Sequence, residues 1–220
     1  MRLEILEEAV LLFNRMAAKY DLWFEKEKLT FQIEERAFKS LLPFLPKPWL
    51  ELGVGSGRFA KALEIPLGID PAIKLLPIAK GRGIKVMAGR GESMPIFSKR
   101  VGSLFVIDTL CIVKFPKLLL RECHRVLMRE GKIVIGFVPR GSSWGRFYMK
   151  KKKGSHPFHR LTRFYSVGEV EHMVMEAGFS VYGIFSTLFQ KPEEVKNHEI
   201  PMKGYRPQAG FLVIVGERLG

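Results

Sequence analysis

The sequence predicts an α/β fold in which a mostly parallel sheet is covered by helices on both faces. Short apolar runs alternate with amphipathic stretches, the runs are apolar at nearly every position, and a glycine cluster follows the first of them. Strands without polar alternation must be buried on both sides, and only helices above and below can do that. At 220 residues, 47% of them hydrophobic, the chain is expected to form one domain around such a sheet.

The elements follow in order. Leu3, Leu6, Val10, Phe13 and Ala17 recur at three- and four-residue steps and predict a helix over 3–20. A second helix is expected from Leu29 to Leu42, stopped by Pro43 and Pro46. The first strand, 48–52, runs into Gly53-Val54-Gly55-Ser56-Gly57, and helix resumes from Arg58 to Glu64. A second strand, 66–70, leads into a helix from Pro71 that Pro77 is expected to kink or end. Strands are expected at 84–88 and 103–107. A helix from Pro116 to Met128 has proline at its start and Gly131 beyond its end, and a fifth strand covers 132–138. Ser166 and Glu169 have capping-box spacing before a helix to Ala177, which Gly178 ends. Strands at 179–189 and 211–217, joined by a polar loop from Pro192 to Pro207, complete the pattern. This divides the chain into helices over 1–45, an α/β half over 46–138, a basic insertion over 139–163, and a terminal helix with strands over 164–220.

Composition narrows the class. Aromatics at 11% and a substantial apolar fraction exclude a disordered or low-complexity protein. Cys111 and Cys123 are too few for a disulfide framework, and no Cys/His cluster suggests structural zinc. No apolar run is long enough to span a bilayer, and Glu4, Glu7 and Glu8 do not suit a signal peptide, so a soluble cytoplasmic protein is expected. Lys and Arg number 36 against 22 Asp and Glu, a net charge of +14 that attracts nucleic acid, anionic lipid or an acidic substrate without choosing among them. Scarce amides beside abundant Lys and Glu also resemble a heat-adapted composition, although nine Met do not.

The glycine cluster carries the functional signal. Glycines at a strand-to-helix turn let the backbone approach a ligand beside helix N–H groups. Arg58 breaks the spacing of a nicotinamide dinucleotide fingerprint, and a P-loop ending is absent. Instead Gly53, Gly55 and Gly57 alternate, Glu51 stands two residues before the first, and Asp70 ends the second strand where a ribose can donate both hydroxyls.

Glu51 to Gly57 followed by Gly68-Ile69-Asp70 resembles the cofactor motif of class I S-adenosylmethionine-dependent methyltransferases. Further segments are similar to the subfamily (methyltransferase type 11) that contains small-molecule and quinone-biosynthesis enzymes: Phe13 through Ala17 to Tyr20-Asp21, Gly91-Glu92-Ser93-Met94-Pro95, Leu120 to Leu127, and Tyr165-Ser166 through Gly178-Phe179. The resemblance covers nearly 10–190. It implies a Rossmann-like doubly wound sheet of seven strands, the last antiparallel, with 1–45 as a helical lid. It also implies S-adenosylmethionine as cofactor, held by Glu51, Gly53, Gly55, Gly57, Asp70, Pro71, Gly91, Glu92 and Asp108. Arg90 stands where the family often has Asp, so adenine recognition is expected from backbone groups around Gly91 and Glu92.

The implied reaction is in-line methyl transfer to a small-molecule acceptor, in which the protein positions donor and acceptor and excludes water. Candidate catalytic residues are Tyr20, Asp108 and Thr109, although Tyr20 is equally readable as amphipathic core and Asp108 as a helix cap. Cys111 reads as a buried small hydrophobe, and His156 with His159 as surface loop, so no metal is expected. Lys150 to Lys153, with Trp144, Phe147, Tyr148, Arg160 and Arg163, reads as a solvated loop. The rival readings are an RNA methyltransferase that uses the basic 146–163 segment and a protein that binds the cofactor without catalysis. The acceptor atom and oligomeric state are not encoded in these patterns.

Overall fold

The apolar runs pair as parallel strands: β1 (Trp49–Leu52), β2 (Leu67–Asp70), β3 (Lys85–Ala88), β4 (Val101–Ile107) and β5 (Leu127–Phe137). With β6 (Phe179–Thr187), β7 (Met202–Lys203) and β8 (Phe211–Arg218) they make one sheet in the order β3-β2-β1-β4-β5-β8-β6-β7. These are the elements of a computed structural model that describes residues 4–152 and 157–220.

β8 lies antiparallel between β5 and β6. No helix intervenes between β6 and β8, and an antiparallel return needs no crossover. The expected antiparallel last strand is therefore present. An eighth strand is added because Met202 and Lys203 pair with Ser186 and Phe185 inside the segment expected to be loop, and two residues carry no periodic signal.

Helices cover both faces. Alternation along β4 sends Leu104 and Val106 to one side and Phe105 and Ile107 to the other. The first side packs on α6 (Pro116–Val126) and α9 (Val167–Glu176) through Leu119, Leu120, Val170 and Val174. The second packs on α3 (Lys28–Lys39) and α4 (Arg58–Ala62) through Ile33, Phe38 and Phe59. Among the described residues, no helix is long and apolar enough to cross a membrane.

Three expectations need correction. The first helix is two: α1 (Glu4–Arg15) and α2 (Ala17–Lys26) break at Met16, which has φ −111° and ψ 20°. Pro77 neither kinks nor ends a helix but sits in the first turn of α5 (Leu76–Gly81), where its missing N–H has no helical partner to lose. The basic insertion is not a solvated loop: it contains α7 (Ser143–Lys152) and α8 (Pro157–Leu161). Trp144 anchors α7 in the core at 2% exposure, and its Nε1–H donates to the Gln190 carbonyl at 2.8 Å. Lys153, His156 and the side chain of His159 lie outside the described residues; among those described, no group of three potential metal ligands occurs.

The capping box of α9 has both halves, Glu169 N–H to Ser166 Oγ at 3.2 Å and Ser166 N–H to Glu169 Oε2 at 2.6 Å. Ser166→Ala is expected to lower stability by about 1 kcal/mol in urea unfolding, with an unchanged denaturant slope.

Candidate active site

The strand order reverses between β1 and β4, and the crevice at their carboxyl ends is where α/β sheets bind ligands. The turn leaving β1 is fixed from β2: Gly53 N–H donates to the Ile69 carbonyl at 2.8 Å, and Gly55 N–H to Asp70 Oδ2 at 2.8 Å. The other oxygen of Asp70 accepts from Ala72 N–H at 2.7 Å, so this carboxylate organises the turns after both strands. Gly53, at φ 77°, has no room for a side chain, since a Cβ there would lie 2.1 Å from Thr109 Oγ1. Gly55, at φ 52°, faces the Tyr20 ring, which a Cβ would approach to 3.2 Å.

A clamp brings the amino-terminal helices over this turn. Asp21 on α2 receives Arg58 Nε–H and Nη2–H, both at 2.9 Å, and Arg82 Nη2–H at 2.8 Å. Arg82 also donates to the Ser56 carbonyl at 2.6 Å, tying the clamp to the glycine turn itself. Partial burial opposes the charge on Asp21, but the hydrogen bonds from Arg58 and then Arg82 outweigh it and hold the carboxyl well below its usual range. Above α2, Phe13, Tyr20, Phe24 and Phe158 form an aromatic cluster, with Phe13 and Phe158 centroids 5.1 Å apart.

Beneath this cover is a cavity that collects residues from nearly every part of the fold. Of the expected site residues, Tyr20, Gly53, Gly55, Asp70, Pro71, Gly91, Glu92, Asp108 and Thr109 line it; Glu51 and Gly57 do not. Gly57 caps α4, and Glu51 lies under the turn, 2% exposed with Oε2 unpartnered. Burial pushes its carboxyl well above the ordinary range. Thr109 donates its hydroxyl to the Ile107 carbonyl at 2.9 Å while packing on Gly53, so it shapes the turn. Cys111 also lines the cavity, and burial raises its thiol, which keeps it protonated and a poor nucleophile.

Asp108 takes φ 47°, a left-handed conformation uncommon outside glycine, and aims its carboxylate into the cavity. Asp108 is exposed by surface area, and it lines the cavity, where a small molecule can reach it. Burial pushes its pKa up to about 7. Tyr20 is raised too, by burial first and then by the field of Asp108.

Several lining residues carried no readable signal. Glu34 of α3 lines the cavity at 5% exposure, Tyr148, Phe158 and Thr162 come from the segment expected to be solvated, and Phe164 follows it. Glu92 contributes a buried Oε1 without a partner, where the sequence suggested only backbone groups. Asp21, which in the sequence is only part of the Tyr20-Asp21 motif, is the clamp.

Comparison with known proteins agrees with this geometry. Residues 50–135 match the family model described as a methyltransferase domain. The chain is 36% identical over 208 residues to an uncharacterized protein of Methanocaldococcus jannaschii, covering 94% of this chain and 98% of that one. It is 31% identical over 142 residues to a demethylmenaquinone methyltransferase of Thermotoga maritima, 59% of this chain and 61% of the relative. A crystal structure from Thermotoga maritima, described as an S-adenosylmethionine-dependent methyltransferase and possible histamine N-methyltransferase, superposes with a TM-score of 0.89. It is 32% identical and covers 96% of this chain and 100% of its own.

The clamp predicts a pH signature. Asp21→Asn should cost about 1 kcal/mol at pH 7, a charged hydrogen-bond contribution reduced by solvent near the surface. Because the folded pKa of Asp21 is depressed, its contribution is present above the ordinary carboxylate pKa of about 3.9 and fades as pH falls below it. Thermal unfolding of parent and variant should therefore differ at pH 7 and converge toward pH 2.

Proposed function

Because the chain belongs to the class I S-adenosylmethionine-dependent methyltransferases, we propose that it transfers a methyl group to a small-molecule acceptor held in the cavity beneath α1 and α2. The cavity that joins Asp70 and the glycine turn to an aromatic side carries this reading.

The residues present fit the donor. Each oxygen of Asp70 accepts one backbone N–H and keeps a lone pair, so a ribose can donate both hydroxyls without displacing either bond. The unpartnered Oε1 of Glu92 gives a further acceptor for a donor N–H or O–H beside Gly91. The missing side chains at Gly53 and Gly55 leave the backbone open to the amino-acid end, with Glu51 buried below as support. Pro71 continues the wall next to Asp70, and Gly57 acts by starting α4.

The bound donor supplies a methyl group already activated on a positive sulfur. The chain's own task is alignment and exclusion of water. Phe13, Tyr20 and Phe24 close the cavity, and the Asp21 clamp holds them there. Asp108 offers negative charge at the junction of donor and acceptor sides, where it favours a cationic centre. Tyr20 keeps its proton and serves as a wall and hydrogen-bond donor.

The small-molecule reading is favoured over RNA because most of the aromatics described in the basic segment turn inward: Trp144 is core, and Tyr148 and Phe158 line the cavity, while Phe147 is half-buried with Lys151 over its ring. A cytoplasmic setting goes with this reading and suits the unpaired Cys111 and Cys123.

Calorimetry with S-adenosylhomocysteine tests the donor site. The parent should bind it in preference to NAD. Asp70→Ala should weaken binding by about 1.5–3 kcal/mol, and Gly55→Val should weaken it more by driving a branched side chain toward Tyr20. Tighter binding of NAD, or parental affinity in both variants, would overturn the assignment.

A further inference from the structure

The cavity is opposite in sign to the chain around it. The sequence carries +14, yet the described residues lining the cavity include Glu34, Asp70, Glu92 and Asp108 against one basic side chain, Arg90. Asp70 and Glu92 belong to the donor side of the proposed function. Glu34 has no part in that reading, and Asp108 stands where the donor and acceptor sides join. Neither carboxylate has a hydrogen-bond or ion-pair partner among the described residues, and Glu34 is 95% buried, being 5% exposed.

Their place in the fold puts them on the acceptor side. One helical turn after Glu34, Phe38 packs on Gly136 of β5 and Phe211 of β8, so α3 lies over that half of the sheet, away from β2 and β3. Asp108 leaves β4 with its N–H donating to the Gly136 carbonyl at 3.0 Å. Trp23, Phe24, Tyr148 and Phe164 contribute aromatic surface to the same cavity.

Two carboxylates facing an apolar, aromatic enclosure need positive charge to be ionised together. The donor sulfonium supplies one unit, which leaves one carboxylate uncompensated. A neutral hydroxyl acceptor brings no charge, and an anionic acceptor adds repulsion. An ammonium brings the missing charge, up to three N–H donors, and affinity for aromatic faces.

We propose that the acceptor is a primary or secondary amine, bound as its ammonium ion between Glu34 and Asp108, and that the product is the N-methylated amine. The inference rests on the donor site proposed above. The bound ammonium gives one proton to the Glu34–Asp108 pair. The freed nitrogen lone pair forms the N–C bond to the methyl group as the C–S bond breaks, and that electron pair stays on sulfur as a neutral thioether. The product leaves as a methylated ammonium, and the carboxyl returns its proton to solvent.

The electrostatics agree with this role. Burial and the neighbouring Asp108 raise Glu34, and burial pushes Asp108 up to about 7, so Asp108 can take up or release a proton near neutral pH. Among the described residues, the other titratable groups in the field of the pair are Tyr20 on α2, Glu27 between α2 and α3, Cys111 after β4 and Tyr148 on α7, and the basic side chain lining the same cavity is Arg90.

The test is calorimetry of the full chain saturated with S-adenosylhomocysteine, using n-butylamine and 2-phenylethylamine against 1-butanol, 2-phenylethanol and phenylacetate. At least one amine should bind tenfold or more tightly than its matched alcohol at pH 8, and phenylacetate should not bind. Amine affinity should fall about tenfold from pH 8 to pH 6 as the pair takes up protons. Glu34→Gln should cut the amine-to-alcohol ratio to threefold or less, and Asp108→Asn should do so and flatten the pH dependence. Equal binding of amine and alcohol, binding of neither, or a ratio that survives in both variants would overturn the proposal. S-adenosylhomocysteine titrated first into the parent reports separately on the donor reading: failure at that step removes the premise, whereas success followed by indifference to the amines overturns this inference alone.

Discussion

The carboxylate of Asp70 is the constraint on which the site depends. By accepting Gly55 N–H and Ala72 N–H, it ties the turn after β1 to the turn after β2 and sets the floor of the cavity. Burial raises its pKa, and the two backbone N–H groups oppose that rise. The glycines matter because of this bond. With Gly55 drawn to Asp70, its open side faces Tyr20, and Gly53 is pressed against Thr109, so neither position has space for a side chain.

The cover is built by a second, independent device. Asp21 gathers Arg58 and Arg82 from either side of β2, joining α2 to the start of α4 and the end of α5. Arg58, which disqualifies the loop as a dinucleotide fingerprint, is thus a residue that holds α2 to it. The aromatic cluster then lines the cavity beside its carboxylates. The strong positive charge of the chain lies elsewhere; the cavity keeps the acidic side chains.

The sheet was legible because its signals are local. Continuous apolar runs, the glycine turn and the capping box at Ser166 each lie within a few neighbouring residues, and they place β1 to β6, β8 and α9 near their observed positions. Asp70 could be found because it ends the strand after the glycine turn. The clamp could not, since its partners are separated by 37 and 61 residues and each reads singly as a surface charge. Glu34 looks like any helical glutamate until Phe38, one turn later, is seen to pack on β5. The insertion over 139–163 reads as loop for a related reason: its lysines dominate the composition, while Trp144 and Tyr148 pack inward. Pro77 shows the same limit at short range, because a proline breaks a helix or begins one according to where the preceding loop ends.

The central claim is that one cavity holds the donor against Asp70 and the glycine turn while presenting its reactive end to Asp108 and Glu34. A crystal structure of the chain with S-adenosylhomocysteine measures this directly. The account predicts ribose hydroxyls on Asp70, the amino-acid end over Gly53 and Gly55, and the sulfur facing the side of the cavity that carries Asp108. Ligand density outside this cavity, or a ribose without contact to Asp70, would contradict it.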